Sequence, residues 1–230
     1  APVQSNWRGN LGTRGGAWYD YVITDRFVTP DDQQAFFTER FLALPHCLFP
    51  SDTRRSIAAA LPSRAACGLP PQGFVFACFN TPYKILPPVF DVWMRLLARV
   101  PGSVLWLSPG YPIACDNLRR EAAARGVDPQ RLVFAPRLDL PEHLARHAHA
   151  DLFLDTSPYN AGTTANDALF MGVPVLTCSG ERMASRVAGR QPPAVAWPEP
   201  AAAEFAAHAP GACRAPRQRR AAHHSPPPRP

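Results

Sequence analysis

Between residues 74 and 177, short apolar runs alternate with longer stretches in which apolar positions recur at helical spacing. The runs cover residues 74–79, 103–107, 132–134, 152–154 and 173–177. They are too short for helices and lack the polar alternation of a half-buried strand, so each reads as a strand buried on both faces. Between them, residues 87–100 are amphipathic with proline near the start, 116–125 are stopped by Gly126, and 141–149 begin at Pro141. A further helix opens near Thr163 and closes at Gly172. Strands separated by single helices predict a parallel sheet covered on both faces, an α/β fold of Rossmann-like type. No GxGxxG occurs, so a dinucleotide cofactor is not supported.

The chain before residue 74 is less regular. A Gly-rich loop, Trp7-Arg8-Gly9-Asn10-Leu11-Gly12-Thr13, follows a short strand, and residues 19–25 alternate enough for another. Thr29-Pro30-Asp31-Asp32 has the acids of a helix start and predicts a helix over 33–41. Residues 50–70, polar and Ala-rich, read as a link. The expected organisation is therefore a first unit over 1–65, a Rossmann-like unit over 66–190, and a tail over 191–230. The tail holds ten prolines and no sustained periodicity, so it is expected to be disordered.

Charge changes this picture little. Net charge is +6, but the tail contributes five arginines against Glu199 and Glu204, and the rest is not clustered with aromatics. A nucleic-acid partner is not expected. No apolar run approaches a membrane span, and no signal peptide opens the chain, so a cytoplasmic protein without a membrane partner is expected. The six cysteines form no CxxC pair and signal neither a zinc ribbon nor a disulfide framework. His143, His147 and His149 have a spacing that can place two imidazoles on one helical face, but only Glu142 is near to complete a set, so no metal is expected. Of the 24 basic residues only Lys84 is a lysine, a compact point charge suited to a phosphate in a tight site.

Chemistry concentrates in residues 151–180, DLFLDTSPYNAGTTANDALFMGVPVLTCSG. An apolar strand ends at Asp155, a loop follows, and Gly162 leads into Thr163 and Thr164 at a helix N-terminus. Unpaired amides and the helix dipole there attract phosphate. Asp167, one turn on, can accept hydrogen bonds from a sugar hydroxyl. Threonines after a glycine also serve as plain helix caps, and both readings stay open on spacing alone.

The motif LDTSPYNAGTTANDAL…GVPVLT, continued by residues 180–187, resembles the catalytic region of the O-GlcNAc transferase and SPINDLY family, inverting glycosyltransferases built of two Rossmann-like domains (GT-B). Phe74 to Ile85 and the opening Ala1-Pro2-Val3-Gln4 extend the resemblance over about residues 1 to 189, beyond which it stops. The resemblance implies transfer of GlcNAc from UDP-GlcNAc to Ser/Thr of proteins, with no metal or other cofactor. Lys84 would neutralise the departing diphosphate, helped by Thr163 and Thr164. Asp167 would hold the ribose, His143 would pack on the uracil with Arg146 nearby, and the peptide groups around Leu138 would read the base edge. Thr81, Tyr83, Asn160 and Gly162 fall on further donor-site positions, and Gly9, Gly12 and Thr13 on a loop facing donor and acceptor.

This chain departs from the family pattern at several positions. Asn10-Leu11 replaces Tyr-Pro, Thr81 replaces Gln or Asn, Gly162 replaces a His, Leu140 a Lys and Tyr159 a Cys. GDP-fucose is therefore an alternative donor, and a non-catalytic nucleotide-binding or interaction module an alternative role. The family's catalytic histidines and tetratricopeptide repeats precede the position of Ala1, so the first unit is expected to be a remnant of a catalytic domain. The chain is expected to be an incomplete fragment with a frameshifted or mispredicted C-terminus, which reading the other frames after codon 189 tests.

Overall fold

The computed structural model describes residues 1–190; the expected tail over 191–230 lies outside the described residues. The first unit is a parallel three-stranded sheet, β1 (Ser5–Asn6), β2 (Tyr21–Asp25) and β3 (Arg40–Leu44), in that spatial order. Tyr21 to Asp25 register with Arg40 to Leu44. Asp25, 1% exposed at the end of β2, accepts the N–H groups of Phe27, Val28 and Leu48 at 2.9, 2.8 and 2.7 Å. One buried carboxylate thus fixes two loops.

The helix expected over 33–41 does not form. A 3-10 turn spans Asp31–Phe36, and β3 begins at Arg40. The cause lies in the Gln34 side chain, which donates to the Glu39 carbonyl at 2.8 Å and accepts the Phe41 N–H at 3.2 Å. These bonds take backbone groups that a helix would have used.

The second sheet has five parallel strands in the order β6-β5-β4-β7-β8, where β4 is Val75–Cys78, β5 Val104–Leu107, β6 Leu132–Phe134, β7 Leu152–Leu154 and β8 Val175–Leu176. Four helices alternate with them: α1 (Pro87–Arg99), α2 (Pro112–Ala124), α3 (Leu140–Arg146) and α4 (Thr163–Phe170). Successive strand residues divide between two cores, as a pleat of period two requires. Val75, Ala77, Val104, Trp106, Phe153 and Val175 pack with Ala165 and Ala168 of α4. Phe76, Cys78, Leu105, Leu107, Leu154 and Leu176 pack on the other face with Phe90, Trp93 and Leu97 of α1. The fold is the α/β, Rossmann-like one, with strand order reversing between β4 and β7. In such sheets a ligand site lies at the carboxyl ends of the strands flanking that reversal.

The two units share a core. Val22, Val28 and Leu48 of the first cluster with Met183 and Val187, and Arg186 Nε donates to the Phe27 carbonyl at 2.7 Å.

Candidate functional site

Residues just past β4 and β7 meet at the strand-order reversal. Asn80 Nδ2 donates to Thr156 Oγ1 at 2.7 Å, and Thr164 Oγ1 donates to Asn80 Oδ1 at 2.5 Å, joining both strands to α4. Asp155, 4% exposed, accepts the N–H groups of Thr156 and Ala161 at 2.7 and 2.6 Å and the Thr177 hydroxyl at 2.6 Å. Burial pushes its pKa up to about 7, against the downward pull of these hydrogen bonds and of Lys84. Sequence reasoning noted Asp155 as a strand end but missed it, with Asn80 and Thr156, as the frame of the loop. The usable signal was a polar residue at the end of each buried run.

Lys84 ends a 3-10 turn, Pro82–Lys84, whose geometry Thr81 fixes by accepting the Lys84 N–H at 3.0 Å. Its Nζ donates to the Asn160 carbonyl at 3.0 Å and lies 3.9 Å from the centre of the Tyr159 ring. Burial lowers its pKa, partly offset by the negative charge of Asp155. Asn160 is fully buried; its Nδ2 donates to the Thr156 carbonyl at 2.8 Å, while Oδ1 has no hydrogen-bond partner among the described residues.

A cavity of about 440 Å³ opens between the two units, lined by Arg8 and Gly9 of the first and by Lys84, Asn160, Gly162 and Thr163 of the second. Thr163 begins α4, whose N-cap, Gly162, supplies no side-chain hydrogen bond, so the first-turn amides of α4 have no side-chain cap beside Lys84. A side chain at 162 would collide with Phe49, since an added Cβ would meet its Cζ at 2.4 Å. The Phe49 ring, just before the link, takes that space.

The expected donor and acceptor loop is only partly at the cavity. Gly9 lines it, whereas the Gly12 carbonyl accepts from Asn6 Nδ2 at 3.2 Å and Thr13 Oγ1 donates to Glu39 at 2.7 Å. Burial raises the Glu39 pKa, but hydrogen bonds from Thr13, Arg14 and Thr38 outweigh it and hold the carboxyl below its ordinary value. Gly12 and Thr13 therefore hold the loop. Arg8, at φ 60°, was missed; its guanidinium lies 4.5 Å from the Phe49 ring centre.

Of the residues expected around the nucleoside, His143 and Arg146 lie on α3 and Leu138 in the loop before it. Arg146, 3% exposed, donates to the Pro136 carbonyl and to His143 Nδ1, both at 2.6 Å. An arginine cannot accept, so neutral His143 carries its proton on Nε2. Burial, then the charges of His147 and Arg146, push the His143 pKa down to about 3. His143 stands edge-on to Phe79 at 5.2 Å. Arg146 thus orients His143 and the 136–138 loop from within the protein. Leu138 is half-buried in that loop, and Tyr83 is 70% exposed, its ring 6.5 Å from that of Tyr159. His143 and His147 stand edge-on with ring centres 4.8 Å apart, whereas His149 Nε2 bonds the Pro62 carbonyl at 2.6 Å.

Asp167, 4% exposed, is ion-paired to Arg55 of the link, and its Oδ2 lies 4.0 Å from His143 Nε2. Burial raises the Asp167 pKa and the Arg55 hydrogen bond lowers it. Arg55 was not singled out in sequence, since nothing in a polar link marks which arginine turns inward.

Among the described residues no helix is long and apolar enough to cross a membrane. The family model described as glycosyl transferase family 41 matches residues 1–61 and 53–215. This match runs past residue 189, where the resemblance read from the sequence stops, and corrects that boundary. A probable UDP-N-acetylglucosamine–peptide N-acetylglucosaminyltransferase of Arabidopsis thaliana is 40% identical over 195 residues, covering 82% of this chain and 20% of that protein. A SPINDLY relative from Oryza sativa is 33% identical over 193 residues, covering 81% of this chain and 20% of its own length. The chain thus spans about a fifth of these curated relatives. The solved O-GlcNAc transferase of Thermobaculum terrenum superposes with a TM-score of 0.69 at 32% identity, over 83% of this chain and 36% of that one.

Proposed function

Because the chain belongs to glycosyl transferase family 41, we propose that the cavity between its two units takes a nucleotide-sugar donor, UDP-GlcNAc by preference, from which the sugar passes to a Ser or Thr hydroxyl of a protein. The relatives named for this reaction are far longer than this chain, which covers about a fifth of their length, and in this reading these residues supply the nucleotide side of the reaction.

One observation carries the reading. The only lysine of the chain lies at the rim of the strand-order reversal, in one cavity with the N-terminus of α4. Attack of a hydroxyl on the anomeric carbon forms the new C–O bond as the bond to the diphosphate breaks, and negative charge grows on the departing oxygen. Lys84 and the amides at Thr163 and Thr164 are fixed before that charge appears, so they stabilise the transition state more than the bound donor. The reading requires no metal ion, since these groups supply the positive charge.

Isothermal titration of UDP, and of GDP beside it, into the full chain tests this reading. UDP is expected to bind, and Lys84→Ala to weaken it by about tenfold or more, since a charge-assisted contact is lost. Absence of binding of either nucleotide to a protein with a native circular-dichroism spectrum and a cooperative melt refutes it; tighter binding of GDP reassigns the donor.

A further inference from the structure

The lining of the cavity between the two units includes two cations, Arg8 and Lys84, and no acid. Neither cation is ion-paired with a carboxylate among the described residues. Each rests on an aromatic ring instead: the Arg8 guanidinium lies 4.5 Å from the centre of Phe49, and Lys84 Nζ lies 3.9 Å from the centre of Tyr159. At Lys84 a second group joins the ring, since the Asn160 carbonyl accepts from Nζ at 3.0 Å. An ammonium carries three N–H groups and no acceptor. The carbonyl takes one and the ring covers another side, which leaves donor capacity for the cavity that Lys84 lines.

Both partners of Lys84 come from consecutive residues of one loop, and the backbone there is fixed. The Tyr159 carbonyl accepts the Thr156 hydroxyl at 2.7 Å, and the Asn160 N–H donates to the Ala184 carbonyl at 2.9 Å. The phenol oxygen has no hydrogen-bond partner among the described residues, so the ring face is what meets the lysine. Burial, and then the neighbouring Tyr83, raise the Tyr159 pKa, which keeps the ring uncharged. The kind of partner matters at a site for an anion. A carboxylate would hold the ammonium but cancel its charge, and a phosphate would have to displace it. A π face attracts the cation through its quadrupole and carries no net charge. A lysine left unheld loses rotamer freedom when it engages a ligand, and that loss weakens binding.

We infer that Tyr159 is a positioning residue for Lys84, its ring face holding the ammonium at the cavity wall with the charge uncompensated and ready for the phosphates of an arriving nucleotide. This inference rests on the nucleotide reading above and adds to it the device that keeps the lysine ordered before the ligand arrives.

The test titrates UDP, or GDP where that nucleotide binds tighter, into the full chain and into Tyr159→Leu, Tyr159→Phe, Lys84→Ala and the double variant of Lys84→Ala with Tyr159→Leu. Tyr159→Leu keeps apolar bulk but removes the π face, and is expected to weaken binding about fivefold, the effect of having to order a freed lysine. Tyr159→Phe keeps the face and is expected to stay within about twofold of the wild type. In the Lys84→Ala background the leucine is expected to change binding by less than about twofold, because the ring then has no cation to hold. A ring that only packs the loop or touches the ligand would weaken binding by the same factor with or without Lys84, and that outcome overturns the inference. Equal losses in Tyr159→Phe and Tyr159→Leu would assign the effect to the hydroxyl and overturn it too, as would unchanged or tighter binding by Tyr159→Leu. If Tyr159→Leu does not fold, Tyr159→Met decides by the same ratios. A folded wild type that binds neither nucleotide, or a Lys84→Ala variant that binds as tightly as the wild type, rejects the nucleotide reading of Lys84 and this inference with it, whereas the adverse outcomes at position 159 reject this inference alone.

Discussion

Gly162 and Phe49 share one space. An alanine at 162 would place its Cβ 2.4 Å from Phe49 Cζ, closer than packed carbons approach, so either the ring or the start of α4 must move. Gly162→Ala is expected to cost about 1–3 kcal/mol in urea unfolding, as overpacking does, and Phe49→Ala in the same chain to recover about 1 kcal/mol or more of it. Additive losses would show that the two positions do not meet. His147 carries a pH prediction. It is fully buried, its Nδ1–H donates to the His143 carbonyl at 2.7 Å, and its Nε2 has no partner among the described residues. Protonation would put an unpaired N–H there, so burial lowers the pKa to about 4 from an ordinary 6.5. The unfolded chain therefore binds more protons than the folded one between those values, and this contribution to stability is present above pH 6.5 and lost as pH falls towards 4. Asp155 acts in the opposite sense, because a pKa raised from 3.8 to about 7 makes stability fall as pH rises across that range. His147→Asn, which keeps a donor for the His143 carbonyl, should flatten the rise of stability between pH 4 and 6.5 by about one proton, whereas Asp155→Asn should steepen it.

At the scale of elements, the strands of the second sheet were legible because both faces of each are apolar, and a run such as Val104 to Leu107 admits few other readings. Helix ends were legible within a few residues; α2 begins at Pro112, ahead of the expected 116, as a proline in the first turn permits. The failure over 33–41 came from a side chain that bonds the backbone five and seven residues away, which periodicity does not register. Gln34→Ala removes both bonds, and a loss of about 1–2 kcal/mol in chemical denaturation is expected. No change would mean that β3 pairs with β2 unaided. Of the residues singled out in the sequence, Lys84, Asn160, Gly162, Thr163 and Gly9 line one cavity, whereas Arg146, Gly12 and Thr13 hold other residues in place. What stayed hidden was long-range: Arg55 and Phe49 reach α4 from more than a hundred residues earlier in the chain, and local spacing carries no record of that contact.

Across the whole molecule, the core of the first sheet contains Met183, 3% exposed, and Val187, 1% exposed, which follow β8 in the chain. Met183→Ala should cost about 2–4 kcal/mol, the usual loss for a buried methionine. Because that loss falls on the shared core, thermal unfolding should change from one transition to two, with tryptophan fluorescence and far-UV circular dichroism no longer coincident. Coincident traces in the variant would show that the sheets stay coupled through the cavity and the link. The same stitching bears on biosynthesis. A ribosome delivers the first sheet early, with Leu11, Phe27, Phe41 and Phe49 beside Val22, Val28 and Leu48, but the cluster is complete only once translation has passed Val187. The first three strands must therefore wait, their core incomplete, through the synthesis of the entire second sheet, and the length of that interval is set by the position of one valine.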